Sequence, residues 1–183
     1  MIKNNYFILS GAMGGGKSAI IKHLRKKNYI CIDEPARRIL EEQRSVVGNG
    51  VPEKDPELFC QLMLSRSLHQ FKSNADYEGP VIFDRGIPDL IAYADLFGII
   101  KNVYMNAAKI YLYNKNVFMF NGIEEIYTTD NERKMDFVAA EKFGFKVNDI
   151  YKELGYNVTE VPFLSEEERS EFIINMIEHL NYK

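Results

Sequence analysis

Short, nearly continuous apolar runs alternate with longer amphipathic segments along the chain. The runs have the length and composition of buried strands, and they lie at about 6–10, 29–33, 80–84, 116–120 and 156–161. The intervening segments repeat apolar residues at helical spacing, which predicts helices at 17–27, 35–45, 56–74, 88–97, 101–113, 132–154 and 165–181. Strand-helix alternation predicts a three-layer α/β fold, with a mainly parallel sheet of about five strands and helices on both faces. Ligands of such folds bind at the carboxyl ends of the strands.

Length, charge and cysteine content narrow the class of protein. A chain of 183 residues that is 46% hydrophobic suits one globular domain, 1–183. Its net charge of −3 argues against a nucleic-acid-binding surface. Cys31 and Cys60 have neither metal-ligand spacing nor a disulfide framework, which favours a reducing cytoplasm. We expect a cytoplasmic monomer or homodimer without a membrane partner.

Residues 11–18 match the phosphate-binding pattern G-x-x-x-x-G-K-[ST] between a predicted strand and a predicted helix. Gly11 and Gly16 stand where the backbone must turn sharply and approach a phosphate closely. Lys17 would reach the β- and γ-phosphates, and Ser18 would offer its hydroxyl to Mg²⁺. The residues predicted to bind the nucleotide are Gly11, Ala12, Met13, Gly14, Gly15, Gly16, Lys17, Ser18 and Ala19.

Two carboxylates follow the second predicted strand, in the segment Asp33-Glu34-Pro35. A carboxylate at this edge of the sheet can orient an attacking hydroxyl and accept its proton. Side chains alternate along a strand, so one of the two faces the site, and we favour Glu34 over Asp33. The alternative is an acidic helix start before the proline.

The third predicted strand ends in Asp84-Arg85, in the style of a Walker B element. Asp84 should face Mg²⁺, and Arg85 could bind an acceptor hydroxyl or an anionic substrate group through its planar fork. A structural ion pair between these two residues is the alternative. Asp89 is interpreted as an acid at the start of the following helix.

A lid region is predicted at about 121–136, before the long late helix. Lids of this kind can bring an arginine onto the transferring phosphoryl group and exclude water. Arg133 is the candidate, with Lys134 as second choice. The alternative is a solvated, charged helix start.

Four segments together resemble a known family: GAMGGGKS at 11–18, DEPARRIL at 33–40, FDRGIPDLIAYADLFG at 83–98 and DNERK at 130–134. The chain is similar to the AAA-type ATP-binding family of small P-loop proteins, which resembles ribosylnicotinamide kinase domains and, more distantly, deoxynucleoside and thymidylate kinases. The resemblance implies a nucleoside- or nucleotide-kinase-like P-loop fold, with ATP and Mg²⁺ as cofactors. Deoxynucleoside kinase lids usually carry several arginines, whereas this one offers only Arg133 and Lys134.

These residues favour Mg²⁺-assisted phosphoryl transfer from ATP to a small hydroxyl-bearing metabolite, and we expect a nucleoside or a ribosyl cofactor precursor as the acceptor. Lys17, Glu34, Arg85 and Arg133 are the predicted catalytic residues, and Ser18 and Asp84 the predicted metal ligands. One alternative is a nucleotide-dependent regulatory module, although Asn114-Lys115-Asn116-Val117 lacks the aspartate of the guanine-reading N-K-x-D pattern. Another alternative is a simple NTP hydrolase.

Overall fold

The computed structural model describes residues 1–127 and 135–180. Within these residues the chain forms one five-stranded parallel sheet in the order β2-β3-β1-β4-β5. The strands are β1 (Tyr6–Gly11), β2 (Ile30–Ile32), β3 (Val81–Asp84), β4 (Asn116–Phe120) and β5 (Asn157–Glu160). The predicted alternation of strands and helices is confirmed.

Seven α-helices and one 3₁₀ turn accompany the strands in the described part of the chain. They are α1 (Lys17–Lys26), α2 (Pro35–Ser45), α3 (Pro56–Ser73), α4 (Asp89–Phe97), α5 (Asn102–Ile110), the 3₁₀ turn Glu124–Ile126, α6 (Phe137–Glu153) and α7 (Glu166–His179).

Two predicted helix boundaries differ from those in the structure by three residues or more. The helix expected over 101–113 ends at Ile110, because the chain then extends and Leu112 forms a parallel bridge with Ile2. The late helix begins at Phe137, with the Asp136 carboxylate accepting from the Ala139 N–H as its cap. Residues 132–134, which the prediction included in this helix, lie outside the described residues.

The strand period of two divides the sheet's side chains between two cores. Tyr6 and Ile8 of β1 join a core with α2 to α6, and Phe7 and Leu9 join a second core with α1 and α7. Burial on both faces explains why the strands are nearly continuous apolar runs. Helices therefore cover both faces of the sheet, as predicted.

The sheet order places a crevice at one edge of the sheet. β1 lies between β3 and β4; the chain leaves it for β2 on one side and later reaches β4 on the other. Connections that diverge in this way open a crevice beyond the carboxyl ends of the strands. The predicted phosphate-binding loop and the polar ends of β2 and β3 meet there.

Two surface segments need no functional explanation. The α2–α3 connection exposes Val46 and Val47, and the basic residues of α1 and its end, such as Lys22 and Lys26, face solvent. Within the described ranges, every helix is too short or too polar to cross a membrane.

Candidate functional site

The loop from Gly11 to Lys17, which the sequence predicts to bind phosphate, has a sharply turned backbone. Gly11 has φ +119°, and a Cβ there would collide with the carbonyl oxygen of Phe120. Gly16 caps α1 with φ 82°, in the left-handed region that favours glycine. The N-terminus of α1 therefore opens directly behind the loop, with its unpaired N–H groups available to an anion.

A cleft of about 1130 Å³ extends from this loop to α2 and α3. Nine predicted site residues line it: Met13, Gly14, Gly16, Lys17, Ser18, Ala19, Glu34, Asp84 and Arg85. Gly11, Ala12 and Gly15 are buried and form the inner side of the loop. The volume exceeds the range of a typical single-ligand pocket, so the cleft has space for two small substrates.

Lys17 is the first residue of α1 and its side chain is buried. Its ammonium group donates a hydrogen bond to the Ala12 carbonyl at 2.7 Å. Burial, and next the positive charge of Arg85, lower its pKa to about 8, although Asp84 and Glu34 oppose the shift. A phosphate bound in the loop would supply the opposite charge that this lysine needs.

Asp84 ends β3, and its Oδ1 is buried without a hydrogen-bond partner in the described structure. Burial, and next the negative charge of Glu34, raise its pKa to about 6. Exposed Ser18 lines the same cleft. Residues 1–127 and 135–180 contain no cluster of three or more His, Cys, Asp or Glu suited to a metal. An unsatisfied carboxylate oxygen and one hydroxyl fit Mg²⁺, which takes few protein ligands beside a nucleotide.

Glu34, rather than Asp33, faces the charged centre of the cleft. Glu34 Oε1 lies 3.1 Å from Arg85 Nε and accepts a hydrogen bond from the Tyr93 hydroxyl at 2.9 Å. The Asp33 side chain is 70% exposed and pairs with Arg25 at 2.8 Å. Glu34 immediately precedes α2, but its side chain forms no capping hydrogen bond there, so it is oriented by these contacts.

Arg85 is held more firmly than the sequence suggested. It has φ 66°, and Nη1 donates to the Gly11 carbonyl and to Asp89 Oδ1, both at 2.9 Å. Its ion pairs therefore run to Glu34 and Asp89, not to the adjacent Asp84. Only 7% of the residue is exposed, so a substrate would meet an arginine whose orientation is already set.

The interpretation of Asp89 as a helix-start acid was incomplete. It is the first residue of α4, but it is buried and accepts hydrogen bonds from four groups. Besides Arg85 these are the Ser10 hydroxyl, the Gly86 N–H and the Tyr151 hydroxyl. Asp89 thus fixes Arg85 from the core side.

Sequence reasoning also missed Arg169 of α7. This arginine is 4% exposed, stacks over the Phe120 ring at 4.9 Å and donates to the Gly15 carbonyl at 2.8 Å. It therefore links the C-terminal helix to the phosphate-binding loop. The sequence did hold a signal. Arg169 lies three residues before Phe172 and four before Ile173, a spacing that places this charged residue on the apolar face of the helix.

The two candidate lid residues, Arg133 and Lys134, lie outside the described residues. At the edges of that gap, the Tyr127 hydroxyl donates to the Met135 carbonyl at 2.6 Å, and its ring packs edge-on against Phe137. A Cβ on Gly14 would collide with the Tyr127 ring. The base of the predicted lid is therefore adjacent to the phosphate-binding loop.

The family model of the AAA domain matches residues 6–169. The chain belongs to the AAA domain family. This match runs from β1 to the arginine of α7 and includes every residue that lines the cleft. None of the curated proteins compared with the chain matches it.

Solved structures of a nucleoside kinase and of NadR share the fold of this AAA domain protein. Deoxyadenosine kinase from M. mycoides, with products dCMP and a flexible dCDP bound, superimposes with TM-score 0.70 at 18% identity, over 96% of this chain and 100% of that chain. The same enzyme with bound dATP gives 0.66 at 18% identity, over 94% and 99%. NadR in complex with NR gives 0.63 at 15% identity, over 97% of this chain and 52% of that chain. At these identities the likeness shows the fold, which is the nucleoside-kinase-like P-loop fold predicted above.

Proposed function

We propose that this AAA domain protein transfers the γ-phosphoryl group of ATP to a hydroxyl of a small acceptor, a nucleoside or a ribosyl-bearing cofactor precursor. One observation supports this most: a phosphate-binding loop and a carboxylate-arginine pair line one cleft. Lys17 and Ser18 stand at the donor end, and Glu34 and Arg85 face them. A simple hydrolase or a switch protein does not require the second pair.

The acceptor hydroxyl would attack the γ-phosphorus as its bond to the β,γ-bridging oxygen breaks, and ADP would leave with that oxygen. Glu34 would accept the hydroxyl proton, because it is the carboxylate of the cleft that pairs with Arg85, whereas Asp84 is assigned to Mg²⁺. Lys17 would stabilise charge on the phosphates, and Arg85 would orient the acceptor. Arg133, on the lid outside the described residues, is proposed to stabilise the transferring group.

Ser18 and Asp84 would hold Mg²⁺, which when bound neutralises phosphate charge. The unsatisfied Asp84 Oδ1 supports this assignment. The charged pair Lys17 and Asp84 is costly to bury without a ligand, and a metal-nucleotide complex would compensate both charges.

Polar side chains of α3 form the far wall of the cleft. Arg66, His69 and Gln70 line it, and Gln70 Nε2 donates to the Asp33 carbonyl at 3.1 Å. Such a wall suits an acceptor with hydrogen-bonding groups beyond its reactive hydroxyl. The superimposed structures include a deoxyadenosine kinase and a complex with NR, which supports the choice of nucleosides and NR as first acceptors to test.

The test is an acceptor screen. The purified chain is incubated with MgATP and a panel of ribonucleosides, deoxynucleosides and nicotinamide riboside, while ADP release and phosphorylated product are measured. We expect acceptor-dependent ADP release, and Glu34→Gln should lower kcat about 100-fold or more with ATP affinity retained. Asp33→Asn, next to it but largely exposed, is the matched control and should stay within about twofold.

Two results would overturn the proposal. ADP release that no acceptor stimulates would indicate a hydrolase. Tight nucleotide binding without turnover, combined with nucleotide-dependent capture of a partner protein, would indicate a regulatory module.

A further inference from the structure

Tyr93 of α4 is a residue to which the proposed reaction assigns no step, although its hydroxyl meets the proposed base. The side chain is buried, and its hydroxyl donates to Glu34 Oε1 at 2.9 Å. Burial, and next the negative charge of Glu34, raise the pKa of Tyr93 well above its ordinary value. The phenol therefore stays protonated at neutral pH and acts toward Glu34 as a hydrogen-bond donor.

An ion pair and a hydrogen bond reach the same oxygen of Glu34 from different elements. Arg85 Nε, at the end of β3, lies 3.1 Å from Oε1, and the Tyr93 hydroxyl reaches Oε1 from α4. In the described structure, no hydrogen bond is made to the other oxygen, Oε2. With one oxygen engaged, the carboxylate presents the second one as its available proton acceptor.

Tyr93 can act as a fixed support because its ring is enclosed by aromatic neighbours. It stacks on Phe97 with ring centroids 6.2 Å apart and lies 4.9 Å from the Phe143 ring of α6. Tyr93 is also one helical turn beyond Asp89, the residue that fixes Arg85. Residues four apart share a helix face, so one face of α4 contacts both Glu34 and Arg85.

We infer that Tyr93 is a positioning residue that holds Glu34 through Oε1 and leaves Oε2 to accept the proton of the acceptor hydroxyl. This inference rests on the proposed function. In the step, the O–H bond of the acceptor breaks and the O–H bond at Glu34 Oε2 forms, while the phenol of Tyr93 keeps its proton. A glutamate has three rotatable side-chain bonds, so without this contact its carboxylate samples orientations that are unproductive.

The experiment compares Tyr93→Phe with Tyr6→Phe in the full chain, using the acceptor that the screen identifies. Tyr6 is a matched control, because it is also buried and its hydroxyl donates to the Phe71 carbonyl at 3.0 Å. It begins β1, at the end of the strand away from the cleft. We expect Tyr93→Phe to lower kcat about tenfold while KM for ATP stays within twofold. Tyr6→Phe should keep kcat within twofold. Equal kcat losses in the two variants, or an unchanged kcat in Tyr93→Phe, would overturn the inference.

A double-mutant cycle tests whether Tyr93 acts through Glu34. In the Glu34→Gln background, adding Tyr93→Phe should change the residual rate by less than twofold, because the base is already absent. A further tenfold loss would show that the tyrosine acts elsewhere and would contradict the assignment. If Tyr93→Phe does not fold, Phe97→Leu loosens the ring instead: a threefold or larger loss of kcat at unchanged KM for ATP supports the role, and an unchanged kcat overturns it. Failure of the proposed function is distinguishable, since the unmodified chain would then phosphorylate no acceptor.

Discussion

Replacing Asp84 by asparagine should make the nucleotide-free protein more stable at neutral pH. Its Oδ1 is buried without a partner, and its pKa is raised from 3.8 to about 6, by burial first. The folded carboxyl therefore holds its proton more tightly than the unfolded one. Between about pH 4 and pH 6, the Asp84 carboxyl ionises in the unfolded chain but stays protonated in the folded chain. The free energy of unfolding therefore falls as pH rises through this window, and the full loss remains at higher pH.

The size of the effect follows from the shift. Two pH units at about 1.4 kcal/mol per unit give a cost of roughly 3 kcal/mol at pH 7. Asparagine removes the charge but still buries a neutral polar group, as the protonated carboxyl does, so most of the cost of ionisation is recovered. We therefore expect a gain of about 2–3 kcal/mol at pH 7. The gain should shrink to near zero at pH 4, where the native carboxyl of Asp84 is protonated.

Urea unfolding followed by circular dichroism, in EDTA and without nucleotide, measures this at both pH values. Asp89→Asn is the matched control, because Asp89 is buried five residues away and accepts from Ser10, Arg85, Gly86 and Tyr151. Breaking that network should cost about 3–5 kcal/mol. The two aspartates should therefore respond with opposite signs.

A loss of stability in Asp84→Asn at pH 7, or a gain that is the same at pH 4 and pH 7, would refute the reasoning. Although more stable, the Asp84→Asn variant should lose acceptor-dependent activity, because the carboxylate that lowers stability is the proposed ligand of Mg²⁺. A variant that gained stability and kept full activity would remove Asp84 from the proposed metal site.

The remaining predictions concern the phosphate-binding loop. Lys17→Met should abolish ATP binding, measured by calorimetry, with the fold intact. Because burial lowers the pKa of Lys17 to about 8, the nucleotide-free protein should gain stability as pH rises from about 8 to 10, and Lys17→Met should remove this gain in urea unfolding. Arg169→Leu leaves the Gly15 carbonyl without its donor, so KM for ATP should rise several-fold while KM for the acceptor is unchanged. Gly11→Ala should lower the melting temperature by several degrees in a thermal scan, since φ +119° and the Phe120 carbonyl both oppose a side chain.

Local patterns were sufficient to predict the frame of the molecule. A strand, a glycine-spaced turn and a helix lie next to each other in sequence over residues 6–26, so residue spacing alone specifies them. The polar ends of β2 and β3 were predicted to meet because parallel strands place their carboxyl ends at one edge. Side-chain alternation predicted that one of Asp33 and Glu34 faces the site, and the structure gives Glu34 the contact with Arg85.

The supports of these residues could not be predicted from local patterns. Whether Asp89 is an exposed helix cap or a buried hydrogen-bond acceptor depends on the residues that pack over the start of α4. One of these is Tyr151, which donates to Asp89 and lies 62 residues away in the sequence. The link from Arg169 to Gly15 spans 154 residues, and that from Tyr93 to Glu34 spans 59.

The sequence by itself determined which chemical groups stand at the strand ends, because strand length and glycine spacing are short-range properties. Only the tertiary structure decided how Glu34 and Arg85 are oriented. Their orientation depends on the face that α4 presents to the sheet, and helix-sheet packing sets that face over distances that residue spacing does not encode.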